Sequence, residues 1–135
     1  MVESMLIDAN IFLEVLLEQQ SSGRCKAFLN LLKTGEQKAI LTTFSIDSII
    51  LSMYRERVKE EKIKIFLRSL SQYKGLKIYS ISLRDRFEAL DQIKRYNLDY
   101  EDAITLQAAI STKCSSILSF DRHFDRVKEL KREEP

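Results

Sequence analysis

Four aspartates stand where apolar runs end or helices begin. They are Asp8 in Leu6-Ile7-Asp8-Ala9-Asn10, Asp47 in Thr42-Thr43-Phe44-Ser45-Ile46-Asp47, Asp102 in Leu98-Asp99-Tyr100-Glu101-Asp102-Ala103, and Asp121 in Leu118-Ser119-Phe120-Asp121. A carboxylate beside a buried run is costly unless something neutralises it. Several carboxylates converging on one spot also repel one another, and a divalent cation relieves both costs. Such a cation polarises a phosphoryl oxygen, activates a water and stabilises a leaving oxygen. The four acids therefore point to a metal site doing phosphate chemistry.

The other reactive side chains narrow the field. His123 is the only histidine, which excludes a multi-histidine metal site and speaks against a Ser-His-Asp hydrolase; we read it as a surface residue. Cys25 and Cys114 lie far apart with no metal-type neighbour at short spacing, so both read as reduced thiols. The net charge of +2 is not that of a dedicated nucleic-acid binder. Local basic groups still offer phosphate contacts: Arg55, Arg57 and Lys59, and further on Arg122, Arg126, Lys128, Lys131 and Arg132. No apolar run approaches the roughly 20 residues that span a bilayer. Met1-Val2-Glu3-Ser4 has neither the basic start nor the apolar stretch of a signal peptide. A cytoplasmic protein without membrane contact is expected.

To bring these acids together the chain must alternate strands and helices. The apolar pattern predicts strands over Ser4 to Asp8, Ala39 to Thr42, Leu76 to Ser80 and Ser116 to Ser119. It predicts helices after Asp8, over Cys25 to Lys33, Ser45 to Arg57, Glu60 to Tyr73, Leu83 to Tyr96, and from Asp99 or Tyr100 to about Thr112. Gly23, Gly35 and Gly75 are the expected breaks, and a basic tail closes the chain. There is no repeat or linker, so 1–135 reads as one domain. The expected fold is α/β, three layers α/β/α around a parallel sheet of four to five strands. Ligands of such sheets bind at the carboxyl ends of the strands, near the switch in strand order. Asp8 and Asp121 follow the first and fourth strands at that edge. Asp47 and Asp102 begin helices able to face it.

Taken together, these motifs resemble the PIN-domain nucleases, especially the small VapC-like ribonucleases. Leu6-Ile7-Asp8-Ala9-Asn10-Ile11-Phe12 is similar to the family's strand-Asp-x-Asn/Ser start. Leu98-Asp99-Tyr100-Glu101-Asp102-Ala103 is similar to its Asp-Ala helix start, and Ile117 to Phe124 to its Thr/Ser-x-Asp-x-x-Phe motif. One motif departs. Counting from Thr42, the family's second acid, a Glu, falls on Ser48 here, and Asp47 precedes it.

The resemblance implies RNA cleavage assisted by Mg²⁺ or Mn²⁺. It makes Asp8, Asp47, Asp102 and Asp121 the catalytic acids, with Asp8, Asp102 and Asp121 on the metal. Asn10, Ser48, Asp99 and Ser119 would support them. Asp99 equally fits a helix cap, and Glu101 reads as solvated. The resemblance further implies a toxin with a small antitoxin partner, and a homodimer formed at the third and fourth helices, where Tyr54, Phe66 and Leu70 lie. Two alternatives stay open: an RNA-processing nuclease without an antitoxin, and a binding module whose site is weakened at Ser48. A phosphatase or receiver domain shares the Asp after the first strand but not the later motifs.

Overall fold

The computed structural model describes residues 4–135; the reading of Met1–Glu3 as lacking leader character lies outside them. Among the described residues, five strands alternate with six α-helices. The strands are β1 (Met5–Ile7), β2 (Ala39–Thr42), β3 (Leu76–Tyr79), β4 (Ser116–Leu118) and β5 (Lys131–Glu133). The helices are α1 (Ala9–Leu16), α2 (Ser22–Thr34), α3 (Thr43–Arg55), α4 (Glu60–Ser69), α5 (Leu83–Tyr96) and α6 (Tyr100–Ser111). Short 3-10 turns cover Leu70–Gln72 and Arg122–Arg126.

All pairings are parallel, in the order β3-β2-β1-β4-β5. Alternate residues of each strand point to opposite faces. Ile7, Ala39, Leu41 and Leu118 join the layer built with α1 to α4, around Phe12, Phe28, Ile49, Met53 and Phe66. Leu6, Ile40 and Ile117 join the other layer, with α5, α6, Phe124, Val127 and Leu130. The sheet is thus covered on both faces, as near-continuous apolar strands require.

Local differences from the expected elements have local causes. Gly23 does not separate the first two helices, because it lies inside the first turn of α2 with open space around it. The break falls earlier, where Glu18 takes φ 52°. Gly35 ends α2 in the left-handed conformation, φ 87°. Gly75 is required for contact: a Cβ there would meet the Gln37 carbonyl oxygen at 1.9 Å. The basic tail contains an unforeseen strand. Lys131-Arg132-Glu133 forms an edge, where charged residues are the norm. Phe66 is core, not interface, since its ring packs on Phe12 at 5.8 Å.

Candidate active site

The strand order switches direction between β1 and β4, and the site grows at their carboxyl ends. The register pairs Ile7 with Leu118, so Asp8 and Ser119 leave the sheet side by side. The Asp8 backbone N–H donates to the Leu118 carbonyl at 3.0 Å. Asp8 precedes α1 in extended conformation, yet its carboxylate does not cap that helix. It accepts instead from the hydroxyl of fully buried Ser119, at 2.6 Å. The same Ser119 oxygen accepts from the Asp121 backbone N–H at 3.0 Å. One serine therefore holds the Asp8 carboxylate and the backbone of Asp121.

Beyond Ser119 the chain makes a pinned turn. Asp121 Oδ1 accepts from the His123 backbone N–H at 2.9 Å, capping the 3-10 segment. Phe124 anchors the segment in the core. Between these points the His123 ring turns back to the site. Its Nδ1 lies 3.1 Å from Asp102 Oδ2 and 3.2 Å from Asp121 Oδ1. Asp102 arrives on the first turn of α6, which Asp99 caps by accepting the Asp102 backbone N–H at 2.8 Å. Asp102, Asp121 and His123 each present a ligand atom, all within 4.8 Å of one another.

The second motif behaves differently from expectation. Asp47 is exposed on α3, and its side chain makes no hydrogen bond or ion pair among the described residues. Ser48 is the residue that reaches the site's neighbourhood, donating to Glu101 Oε1 at 3.1 Å. Glu101 and Asp102 are successive on α6 and therefore diverge by about 100°. Asp102 turns to His123 and Asp121, while Glu101 turns to α3. Asn10 is exposed and makes no side-chain hydrogen bond among the described residues. It lines a cleft of about 230 Å³ with Gln19, Ser52 and Arg55.

The charges are strained without a cation. Burial raises the Asp8 carboxyl above its ordinary value; the Ser119 hydrogen bond opposes this, and the charges of Asp121 and Glu101 add to it. Burial likewise pushes Asp102 up to about 6 despite the His123 contact, with Asp121 and Asp99 raising it further. Only 8% of Asp102 is exposed. Two carboxylates and an imidazole at such spacing, those of Asp102, Asp121 and His123, are chemically suited to share a divalent ion.

A family model for the PIN domain matches residues 5–130. The chain belongs to the PIN domain family. Solved structures similar to this PIN domain include the VapC20 toxin of Mycobacterium tuberculosis, described as cleaving the sarcin–ricin loop. It has 9% identity and a TM-score of 0.73, over 92% of this chain and 95% of that one. A toxin–antitoxin complex from Klebsiella pneumoniae matches at 16% identity and TM-score 0.70, over 93% and 94%. VapBC2 of Rickettsia felis, bound to a promoter DNA fragment, matches at 14% identity and TM-score 0.70, over 98% of both chains. No curated protein sequence matches the chain.

His123 and Glu101, read from the sequence as a surface residue and a solvated one, are exposed as expected and also contact Asp102 and Ser48 respectively. His123 had a signal: it is the only histidine and stands two places after Asp121. Glu101 had one too, next to Asp102, but first-turn acids usually serve the helix dipole.

Proposed function

We propose that this PIN domain is a metal-dependent endoribonuclease and the toxin of a toxin–antitoxin pair. The observation that carries the reading is the convergence of Asp8, Asp102 and Asp121 at the switch point of the sheet. Asp102 and Asp121 would hold a Mg²⁺ or Mn²⁺ ion, with Asp8 binding it directly or through water. When bound, the cation supplies phosphoryl polarisation and an activated water.

The chain's own groups do the positioning. Ser119 fixes the rotamers of Asp8 and the path to Asp121. Asp99 fixes the turn that carries Asp102. We assign the second acid to Glu101, held by Ser48, in place of Asp47. The Ser48 hydrogen bond and the effect of Glu101 on Asp8 support this, and they favour an intact acidic set over a weakened one. Arg55 and Arg122 are exposed cations without an ion pair among the described residues, and suit backbone phosphates. Arg132 does not, being tied to Asp125 and Glu134.

The similar structures are toxins or toxin–antitoxin complexes, which supports an antitoxin partner here. An apolar groove of about 860 Å³ between α3 and α4, with Leu16, Val58 and Ile65 on its walls above the core residues Met53 and Phe66, offers it a seat. We place the homodimer contact on α5 instead of α3 and α4. Leu83, Phe87 and Leu90 stand exposed there by 84%, 73% and 54%, on one helix face. Action on RNA places the protein in the cytoplasm. Among the described residues no helix is long and apolar enough to cross a membrane.

The test is cleavage of a mixed-sequence single-stranded RNA with Mn²⁺, using wild type and Asp8→Asn purified in parallel. Cleavage by wild type alone, stopped by chelator, is expected. Equal cleavage by both would overturn the assignment.

A further inference from the structure

His123 is the histidine of a chain that has only one, and its ring is aimed at two carboxylates at once. Packing does not explain the aim, since half of the side chain (52%) is exposed. The turn explains it. Asp121 caps the segment at one end, buried Phe124 holds the other, and the ring is carried between two fixed points. Arg132 fastens the same turn from β5, donating to Asp125 at 2.9 Å and to the Ser119 carbonyl at 3.0 Å.

The spacing suits a ligand. Two donors at right angles around an ion, each about 2.1 Å away, lie roughly 3.0 Å apart. Nδ1 stands at 3.1 and 3.2 Å from the two carboxylate oxygens. One ring nitrogen facing two acceptors can share a single proton between them, or all three atoms can share one cation.

We infer that His123 Nδ1 is a direct ligand of the metal held by Asp102 and Asp121, and that it biases the site toward transition-series divalent ions over Mg²⁺. The inference rests on the reading of the acids as a metal site. Its chemical ground is ligand type: Mg²⁺ takes oxygen donors almost exclusively, whereas imidazole is a ligand of the transition-series ions, most weakly of Mn²⁺ and more strongly of Fe²⁺, Ni²⁺ and Zn²⁺. An all-carboxylate site would leave the choice between Mg²⁺ and Mn²⁺ to supply. A nitrogen donor writes a preference into the protein. Binding through Nδ1 leaves Nε2 free on the solvent side.

The experiment is calorimetric titration with Mn²⁺ and with Mg²⁺, separately, for wild type, His123→Gln and Asp102→Asn, at a pH near 8. Pulsed electron paramagnetic resonance of the Mn²⁺-loaded wild type and His123→Gln accompanies it. The surface position of His123 makes its substitution safe for folding, which circular dichroism checks. The expected result is a fall of at least about 10-fold in the Mn²⁺-to-Mg²⁺ affinity ratio of His123→Gln, the lower end of what losing even an outer-shell partner costs. A ¹⁴N modulation should be present in wild type and absent in the variant. Mn²⁺ bound by wild type and lost in Asp102→Asn, with the ratio unchanged and no ¹⁴N modulation, would overturn the inference and leave the metal site standing. Failure of wild type to bind either ion would overturn both.

Discussion

At the residue scale the candidate site is a set of like charges held in place by the protein's own hydrogen bonds. Ser119 and Asp99 commit hydrogen bonds to the placement of Asp8 and Asp102, so the positions do not wait on metal. The cost shows in Asp102. Its folded pKa, about 6, lies above its ordinary value, so the folded protein keeps this proton longer than the unfolded chain. Its contribution to stability is full below pH 4 and lost as pH rises through 6. Asn cannot lose that contribution. In metal-free protein Asp102→Asn should therefore be more stable than wild type at pH 8, by roughly 1–3 kcal/mol, and show no advantage at pH 4; thermal melts at the two pH values check it. The second acid gives another prediction. Glu101→Gln should cut RNA cleavage by at least about 10-fold, while Asp47→Asn leaves it essentially unchanged. The opposite ranking, in parallel rate measurements, would return the role to Asp47. The placement of Asp8, Asp102, Asp121 and Ser119 near one end of the sheet was legible in the sequence because strand ends and motif spacing marked them. The contacts of Glu101 and His123 were not, because they depend on where α3 and the turn after β4 lie in space.

At the element scale, helix placement decides which carboxylates meet. Residues 102–109 of α6 are all buried, so the helix can seat Asp102 only where both sheet and α5 allow. The α5–α6 contact is polar inside. Asp85 closes a capping box with Ser82 and accepts from the Tyr79 hydroxyl at 2.7 Å and the Ser111 hydroxyl at 2.6 Å. Gln92, Gln107 and Glu88 continue the network. Burial acts against the Asp85 charge, but hydrogen bonds from Ser111, the Ser82 backbone and Tyr79 outweigh it and hold the carboxyl below the usual range. This contribution to stability is present above the ordinary carboxylate pKa and lost as pH falls through the folded one. Asp85→Ala should cost about 1–3 kcal/mol near neutral pH, from unmade buried hydrogen bonds, measured by urea denaturation. Most elements were legible from apolar periodicity; the span of α5 was read as Leu83 to Tyr96 and β2 as Ala39 to Thr42, as found. The strand Lys131–Glu133 was not, because three charged residues carry no apolar alternation. Its membership is decided by the edge of β4.

At the scale of the whole molecule, one parallel sheet sorts the surface into an acidic edge and two helical flanks. The stripe of Leu83, Phe87 and Leu90 on α5 gives the second flank an exposed apolar face, the one proposed above for the homodimer contact. Phe87→Glu should shift the protein from dimer to monomer in analytical ultracentrifugation without loss of secondary structure. A wild type already monomeric at high concentration would contradict the dimer. Burial pushes the Cys25 thiol up to about 11, and it takes no part in this chemistry. The central claim is that the fold gathers sequence-distant acids around one cation. Anomalous scattering from crystals grown with Mn²⁺ tests it most directly. A Mn²⁺ peak is expected in contact with Asp102 and Asp121, beside Asp8, and none in crystals of Asp102→Asn. A wild-type site with no peak at saturating Mn²⁺, or a peak held by other residues, would contradict it.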